Sequence, residues 1–151
     1  MTLKDNIQED LKQAMIAKDE LRLSTIRMLK SALQYFEIAK GGAGYNATDE
    51  DVVEVVDKEI KKRRESIEMF EKGGRQELAD KEKTELEILQ TYLPKQLSED
   101  EVRTLVDEAI AQTGATTISD MGKVMGTLMP KTKGKADGKM VSSIVREKLG
   151  S

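Results

Sequence analysis

The sharpest chemical signal in the chain is PKTKGKADG, residues 130–138. Lys131, Lys133 and Lys135 stand there just ahead of Asp137, which can cap a helix, with Lys123 and Lys139 in the flanking turns. A helix N-terminus attracts anions through its free N–H groups and its dipole. Ammonium groups gathered beside one would read phosphate position without reading base sequence. The competing reading is a solvated surface loop, since a handful of lysines is a weak signal alone. In the preceding segment, MGKVMGTLMPK, Gly122 and Gly126 fall on one edge of a helix, and each costs about 1 kcal/mol of helix propensity relative to Ala. That cost predicts a close backbone approach, by a neighbouring helix of the same domain first and by an external ligand second.

A further constellation is electrostatic. At about 100° per residue, Arg22 falls between Ile26 and Leu29, Arg63 lies between Ile60 and Ile67, and Glu82 interrupts a leucine stripe in the same way. If the helices bearing residues 63 and 82 fold back at Gly73-Gly74, the two side chains lie at similar heights. The spacing predicts a partly buried ion pair of Arg63 with a carboxylate of the next helix, Glu82 first and Glu85 second, which fixes register and does no chemistry. With no His and no Cys, thiolate nucleophiles, imidazole acid–base pairs and thiolate or imidazole metal sites are excluded. Phosphate loops and dinucleotide fingerprints need a strand before their glycines, and no strand alternation is found. The many other carboxylates read as solvated helix faces. No catalytic residue, no metal and no cofactor is expected.

Helices must position these groups. Leu3, Ile7, Leu11, Ala14 and Met15 repeat at helical spacing behind a Thr2/Asp5 cap pair, which predicts a first helix to about Ala17. A second, from about Glu20 to Lys40, carries two adjoining stripes, Leu21, Met28, Ala32, Tyr35 and Leu23, Ile26, Leu29, Leu33, Phe36, and should touch two neighbours. GGAGYNAT, residues 41–48, is expected to be a mobile connector that supplies Thr48 as the next cap. The third helix spans Asp49 to Lys72, and Gly73-Gly74 turns the chain into an antiparallel fourth with the stripe Leu78, Leu86, Leu89, Leu93. Pro94, a Ser98/Glu101 capping box and a Leu97/Val102 staple then mark a domain boundary. Helix five carries Val102, Leu105, Val106, Ala109 and Ile110; helix six, about Asp120 to Met129, carries Met121, Val124, Met125, Leu128 and Met129 inward and is stopped by Pro130. Helix seven follows Asp137 with Val141, Ile144, Val145 and Leu149. The expected fold is all-α: a four-helix region of two helical hairpins over residues 1–93, then a small three-helix domain over residues 95–151.

Composition agrees with that class. A length of 151 residues suits one ordinary domain or two small ones. Charged residues at 35% with aromatics at only 3% suit long solvent-washed helices with aliphatic seams, and argue against a sandwich or barrel. No apolar run is long enough for a membrane span. Asp5, Glu9 and Asp10 stand where a signal or transit peptide would be apolar or poor in acids, so a cytoplasmic protein is expected. The net charge of −3 hides a gradient: −4 over residues 1–93, −3 over 94–118 and +4 over 119–151. Any polyanion should prefer the C-terminal end. All five aromatics lie within residues 35–92, which disfavours base stacking there.

YLPKQLSEDE (92–101), MGKVMGTLMPKTKGKADGKMV (121–141) and RLSTIRMLKSAL (22–33) together resemble the GatB/YqeY family. The whole chain is similar to stand-alone YqeY-like proteins, and its C-terminal third is similar to the tail of the B subunit of the glutamine-dependent aspartyl/glutamyl-tRNA amidotransferase. In that enzyme the tail is a helical appendage that approaches the tRNA, while activation occurs in a separate cradle domain without a counterpart here. The resemblance implies the label of a carbon–nitrogen ligase with glutamine as amido-N-donor, yet it supplies no catalytic residue. The expected function is that of a non-catalytic accessory protein in tRNA-dependent amidotransferase or translation, binding tRNA or other structured RNA through Lys123, Lys131, Lys133, Lys135 and Lys139. The alternative is a helical protein–protein adaptor in the same machinery, and the minor alternative is the ligase activity itself.

Overall fold

Side-chain oxygens set most of the helix starts. Thr2, Thr48 and Ser98 each accept a hydrogen bond from the backbone N–H three residues on, and Asp5, Asp51 and Glu101 accept one from the cap N–H in return. Asp19 and Asp137 cap two further helices. The structure, a computed structural model, describes residues 1–150. It is all-α: α1 (Leu3–Ala17), α2 (Glu20–Gly41), α3 (Asp49–Lys72), α4 (Gln76–Gln90), α5 (Glu99–Thr113), α6 (Met121–Thr132) and α7 (Gly138–Lys148), with a 3-10 turn at Ile118–Asp120 leading into α6. Among the described residues there is no strand, and no helix is long and apolar enough to cross a membrane. The chain divides into two compact units, Met1–Leu93 and Pro94–Ser151.

In the first unit α1 pairs with α2 and α3 with α4, around Ile7, Ile26, Leu29, Val52, Val56, Ile60 and Leu89, all essentially inaccessible to solvent. The α3–α4 turn needs Gly74, whose φ of +73° closes a bond from the Arg75 N–H to the Phe70 carbonyl at 2.8 Å. α2 touches α1, α3 and α4, yet only one of its stripes is core: Met28 and Tyr35 stay exposed. Leu93 lies past the end of α4, where Tyr92 takes the buried place and its hydroxyl donates to Asp10 at 2.6 Å. Arg22 stands 3.6 Å from the same carboxylate. Burial, then the Asp10 carboxylate, hold the Tyr92 phenol far above its ordinary pKa.

The connector expected to be mobile is pinned. Asp51 is buried, accepts from Lys40 Nζ at 2.6 Å and also from the Tyr45 hydroxyl. Lys40 lies over the rings of Phe36 and Tyr45, and the Ala47 N–H donates to Glu37 at 2.6 Å. Tyr45 packs so close to the end of α2 that a Cβ on Gly41 would meet it at 2.8 Å. Glycine content suggested looseness, but one tyrosine and one buried carboxylate close the segment onto the helices it joins.

The second unit is built on Val102, Val106, Val124, Leu128, Val141 and Val145, with α5, α6 and α7 in mutual contact. Leu97 packs on this core, and its N–H donates to the Lys135 carbonyl at 2.8 Å. Pro130 does not stop α6, which runs on to Thr132. A proline withholds one N–H and crowds the carbonyl four residues back. Here that carbonyl belongs to Gly126, and the ladder resumes with the Lys133 N–H bonded to Met129 at 3.0 Å.

Two outcomes follow. The Lys40 ammonium, then the Tyr45 hydroxyl and the Thr48 N–H, hold the Asp51 carboxyl far below its ordinary value. A depressed folded-state pKa contributes stability that is present above the unfolded value and lost as pH falls below it. Urea midpoints should therefore drop below about pH 4 in the parent, whereas Asp51→Asn should begin lower and change less. Residues 94–151 hold a core of their own, so that fragment expressed alone should be helical but only marginally stable. A disordered circular-dichroism spectrum in the cold would contradict this.

Candidate functional site

The corner between α6 and α7 brings Lys131, Lys133, Lys135 and Lys139 together. Lys131 lies in the last turn of α6, Lys133 is its C-cap and Lys139 is in the first turn of α7. All four side chains are exposed, and among the described residues none of them forms an ion pair. The backbone beneath them is fixed: Gln96 Nε2 donates to the Gly134 carbonyl at 2.9 Å, beside the Leu97–Lys135 bond, and Gly134 is buried. Gln96 and Leu97 are positioning residues that the sequence reading missed. Their only signal was the staple position of Leu97, which pointed to α5 and not to this loop.

Two expectations about the corner change. Asp137 already occupies the α7 N-terminus, accepting from the Lys139 N–H at 3.3 Å, so a phosphate here would meet ammonium groups and not a vacant helix end. Lys123 does not join the group. It sits in the first turn of α6, about 12 Å from Lys131 by helical rise. Its nearest influence is Asp120, whose carboxyl is held low by the Thr116 and Thr117 N–H groups and, to a lesser degree, by Lys123. Two other cations of the unit are consumed: Arg103 pairs with Glu99 and Glu147 at 3.1 Å each, and Lys148 with Asp107 at 2.9 Å.

Gly122 and Gly126 are not where a neighbouring helix approaches. Both are exposed, and a Cβ at either would find nothing within 4 Å. The buried face of α6 is Val124, Leu128 and Thr132, and the glycines lie on the opposite side beside Met129, which is 54% exposed instead of inward. The apolar residues chose the buried face, and the glycines flatten the outer one.

Arg63 is buried at 5% exposure between α3 and its neighbours. Its Nη1 donates to the Glu59 carboxylate at 3.0 Å, Nε lies 3.5 Å from Glu85 without a formed hydrogen bond, and Nη2 donates only to the Met28 sulfur at 3.8 Å. Glu82, named first from the sequence, is not its ion-pair partner. The turn centres on Gly74, and residues 63 and 85 are equidistant from it, whereas residue 82 falls three short. Glu82 instead lies beside Glu85, and burial followed by the Glu85 charge pushes its pKa up. Glu59 could have been found from its i,i+4 spacing.

The sequence matches the YqeY-like protein family over residues 4–149. It is 34% identical over 149 residues to altered inheritance of mitochondria protein 41, mitochondrial, of Pyrenophora tritici-repentis, covering 96% of this chain and 80% of that one. It is 41% identical over 88 residues to the protein of the same name from Lachancea thermotolerans, and 38% over 87 residues to that of Vanderwaltozyma polyspora. These two matches cover 58% of this chain and 46% of each relative, about half of their length. Relatives named as mitochondrial overturn the cytoplasmic expectation. The acidic residues that prompted it belong to the fold, since Asp5 completes a cap and Asp10 holds Tyr92.

The Arg63 geometry sets an order among its carboxylates. Glu85→Ala should cost about 3–5 kcal/mol, because it leaves a buried guanidinium short of charge. A raised folded-state pKa means that Glu82 opposes folding increasingly as pH rises past the ordinary carboxylate value. Glu82→Gln should therefore be neutral near pH 4 and stabilising at pH 7 in urea titrations. A larger loss for Glu82→Ala than for Glu85→Ala would reverse the assignment.

Proposed function

The chain belongs to the YqeY-like protein family, and on that premise we propose that it is a non-catalytic accessory protein that docks on structured RNA, tRNA in the first place, through its C-terminal unit. The observation that carries this reading is the α6–α7 corner, where four exposed lysines lack carboxylate partners over a fixed backbone. Unpaired ammonium groups gain most from a phosphate, since each contact releases condensed counterions without first breaking a salt bridge. The outer face of α6 at Gly122 and Gly126 supports the reading too, because a Cβ at either would meet nothing within 4 Å, which leaves room for a polynucleotide backbone. The unit holds no aromatic residue, so the RNA it suits presents phosphates and shape, not splayed bases. The similarity of this third of the chain to the tRNA-approaching tail of the amidotransferase B subunit favours tRNA within translation or tRNA-dependent amidation. The reading requires no amide-transfer step by the chain itself.

If Lys131, Lys133, Lys135 and Lys139 each neutralise one phosphate, log affinity for total tRNA should fall against log salt with a slope of about −3 to −4. Lys133→Ala with Lys135→Ala should weaken binding to every tRNA alike and flatten that slope by about 2. Lys123→Ala, beside Asp120, should change it by less than either loop lysine. A double variant that binds like the parent from about 50 to 200 mM salt would make the corner a solvated surface and give first place to a protein–protein adaptor.

A further inference from the structure

The RNA reading leaves the exposed stripe of α2 unused. Single exposed apolar residues are ordinary, but Met28, Ala32 and Tyr35 recur at helical spacing along one edge of a groove of about 790 Å³ between α2 and α3. Met28 is 51% and Tyr35 78% exposed, while Phe36 and Val55 form the floor. The rim is cationic. Arg27 has no ion-pair partner among the described residues. Lys58 and Lys61 are held only by carboxylates one turn away on their own helix, Glu54 at 3.6 Å and Asp57 at 3.8 Å. Exposed pairs of that kind are worth little and open readily. Glu59, the carboxylate in the groove lining, is shared between Arg63 at 3.0 Å and Lys62 at 3.3 Å. Directly behind Met28 lies that buried guanidinium, with one nitrogen facing only the methionine sulfur.

An apolar floor and a cationic rim call for an occupant that brings aliphatic side chains and carboxylates together. The stripe from Met28 to Phe36 is about 12 Å of helix, enough to seat the i, i+3, i+4 and i+7 anchors of one amphipathic helix. A polynucleotide fits poorly. The first unit carries −4, so a polyanion meets repulsion along its length where a helix with a few glutamates does not. We propose that the α2–α3 groove docks an acidic amphipathic helix of a protein partner, with Tyr35 and Met28 as apolar anchors and Arg27 as the first cation met.

The test uses the full chain and fluorescein-labelled 18-residue peptides, one with leucine at the i, i+3, i+4 and i+7 positions, three glutamates beside them and alanine or glutamine elsewhere, the other with lysine replacing the three glutamates. Anisotropy titrations should show the acidic peptide binding at least about tenfold tighter than the lysine peptide. Tyr35→Ser and Arg27→Glu should each weaken it about tenfold or more, with helical circular dichroism and urea midpoint unchanged. Both variants should keep the parental tRNA salt slope, and Lys133→Ala with Lys135→Ala should keep parental peptide binding, so this inference and the RNA reading stand or fall separately. Equal binding of the two peptides, or parental binding by both groove variants, overturns the proposal. So does displacement of the acidic peptide by tRNA, which would make the groove an RNA surface. So does a sedimenting dimer that Tyr35→Ser dissociates, which would make the occupant a second copy.

Discussion

Burying Arg63 obliges the helices around it to bring carboxylates, because a charge withdrawn from water costs several kcal/mol unless it is compensated. Glu59 answers from one turn earlier on the same helix and Glu85 from across the hairpin, so the guanidinium fixes how α3 and α4 slide along each other. The compensation overshoots. With Glu82 also close, more negative than positive charge crowds the seam, and Glu82 is the group that yields, its pKa raised by burial and by Glu85. The guanidinium is nevertheless short of acceptors on the side facing α2, where only Met28 reaches it. Met28 is thereby kept at the surface of α2 and out of the core, which leaves a groove where two neatly packed helices would have left none.

The second unit is organised by backbone bonds to its corner instead of by a buried charge. Leu97 and Gln96 hold the carbonyls of Lys135 and Gly134, so the chain leaving α6 cannot fold its lysines back onto α5. Several carboxylates of the unit are engaged elsewhere: Asp107, Glu99 and Glu147 with Lys148 and Arg103, Asp120 with two backbone N–H groups. The C-terminal end of a helix favours cations through its dipole, which gives Lys131 and Lys133 a stabilising role at the end of α6 whatever they bind.

What was legible in the sequence was whatever is local. Thr2, Thr48 and Ser98 mark helix starts because a cap needs only its own next turn, and the all-α class follows from the periodicity between them. What was illegible depended on a partner distant in sequence. The choice of Glu85 over Glu82 is set by the position of Gly74 in the turn, and the closed state of residues 41–48 by a tyrosine finding a buried Asp51. Gly122 and Gly126 showed the same limit from the other side. Spacing located them on one edge of α6, but only the core could say that this edge faces outward. Pro130 passed into the helix because the bond it forfeits falls one turn from the end.

The two units handle charge in opposite ways, and this matters more than the net −3 of the chain. Beside the α2–α3 groove Lys58 and Lys61 are matched within a turn by Glu54 and Asp57, while Arg27 has no ion-pair partner among the described residues, so these cations form a weakly held rim around apolar surface. Such a rim acts only at short range, so it favours a carboxylate-bearing partner whose apolar side chains already reach the floor. In the second unit the lysines of the α6–α7 corner are unmatched, so their field adds and reaches outward to about a Debye length, roughly 8 Å at physiological salt. A surface of that kind selects by total charge and shape, not by side-chain fit. The proposed helix-docking groove and the proposed phosphate-binding corner thus differ in how their cations are held: Lys58 and Lys61 each have a carboxylate one turn back on their own helix, whereas the four corner lysines have no ion-pair partner among the described residues.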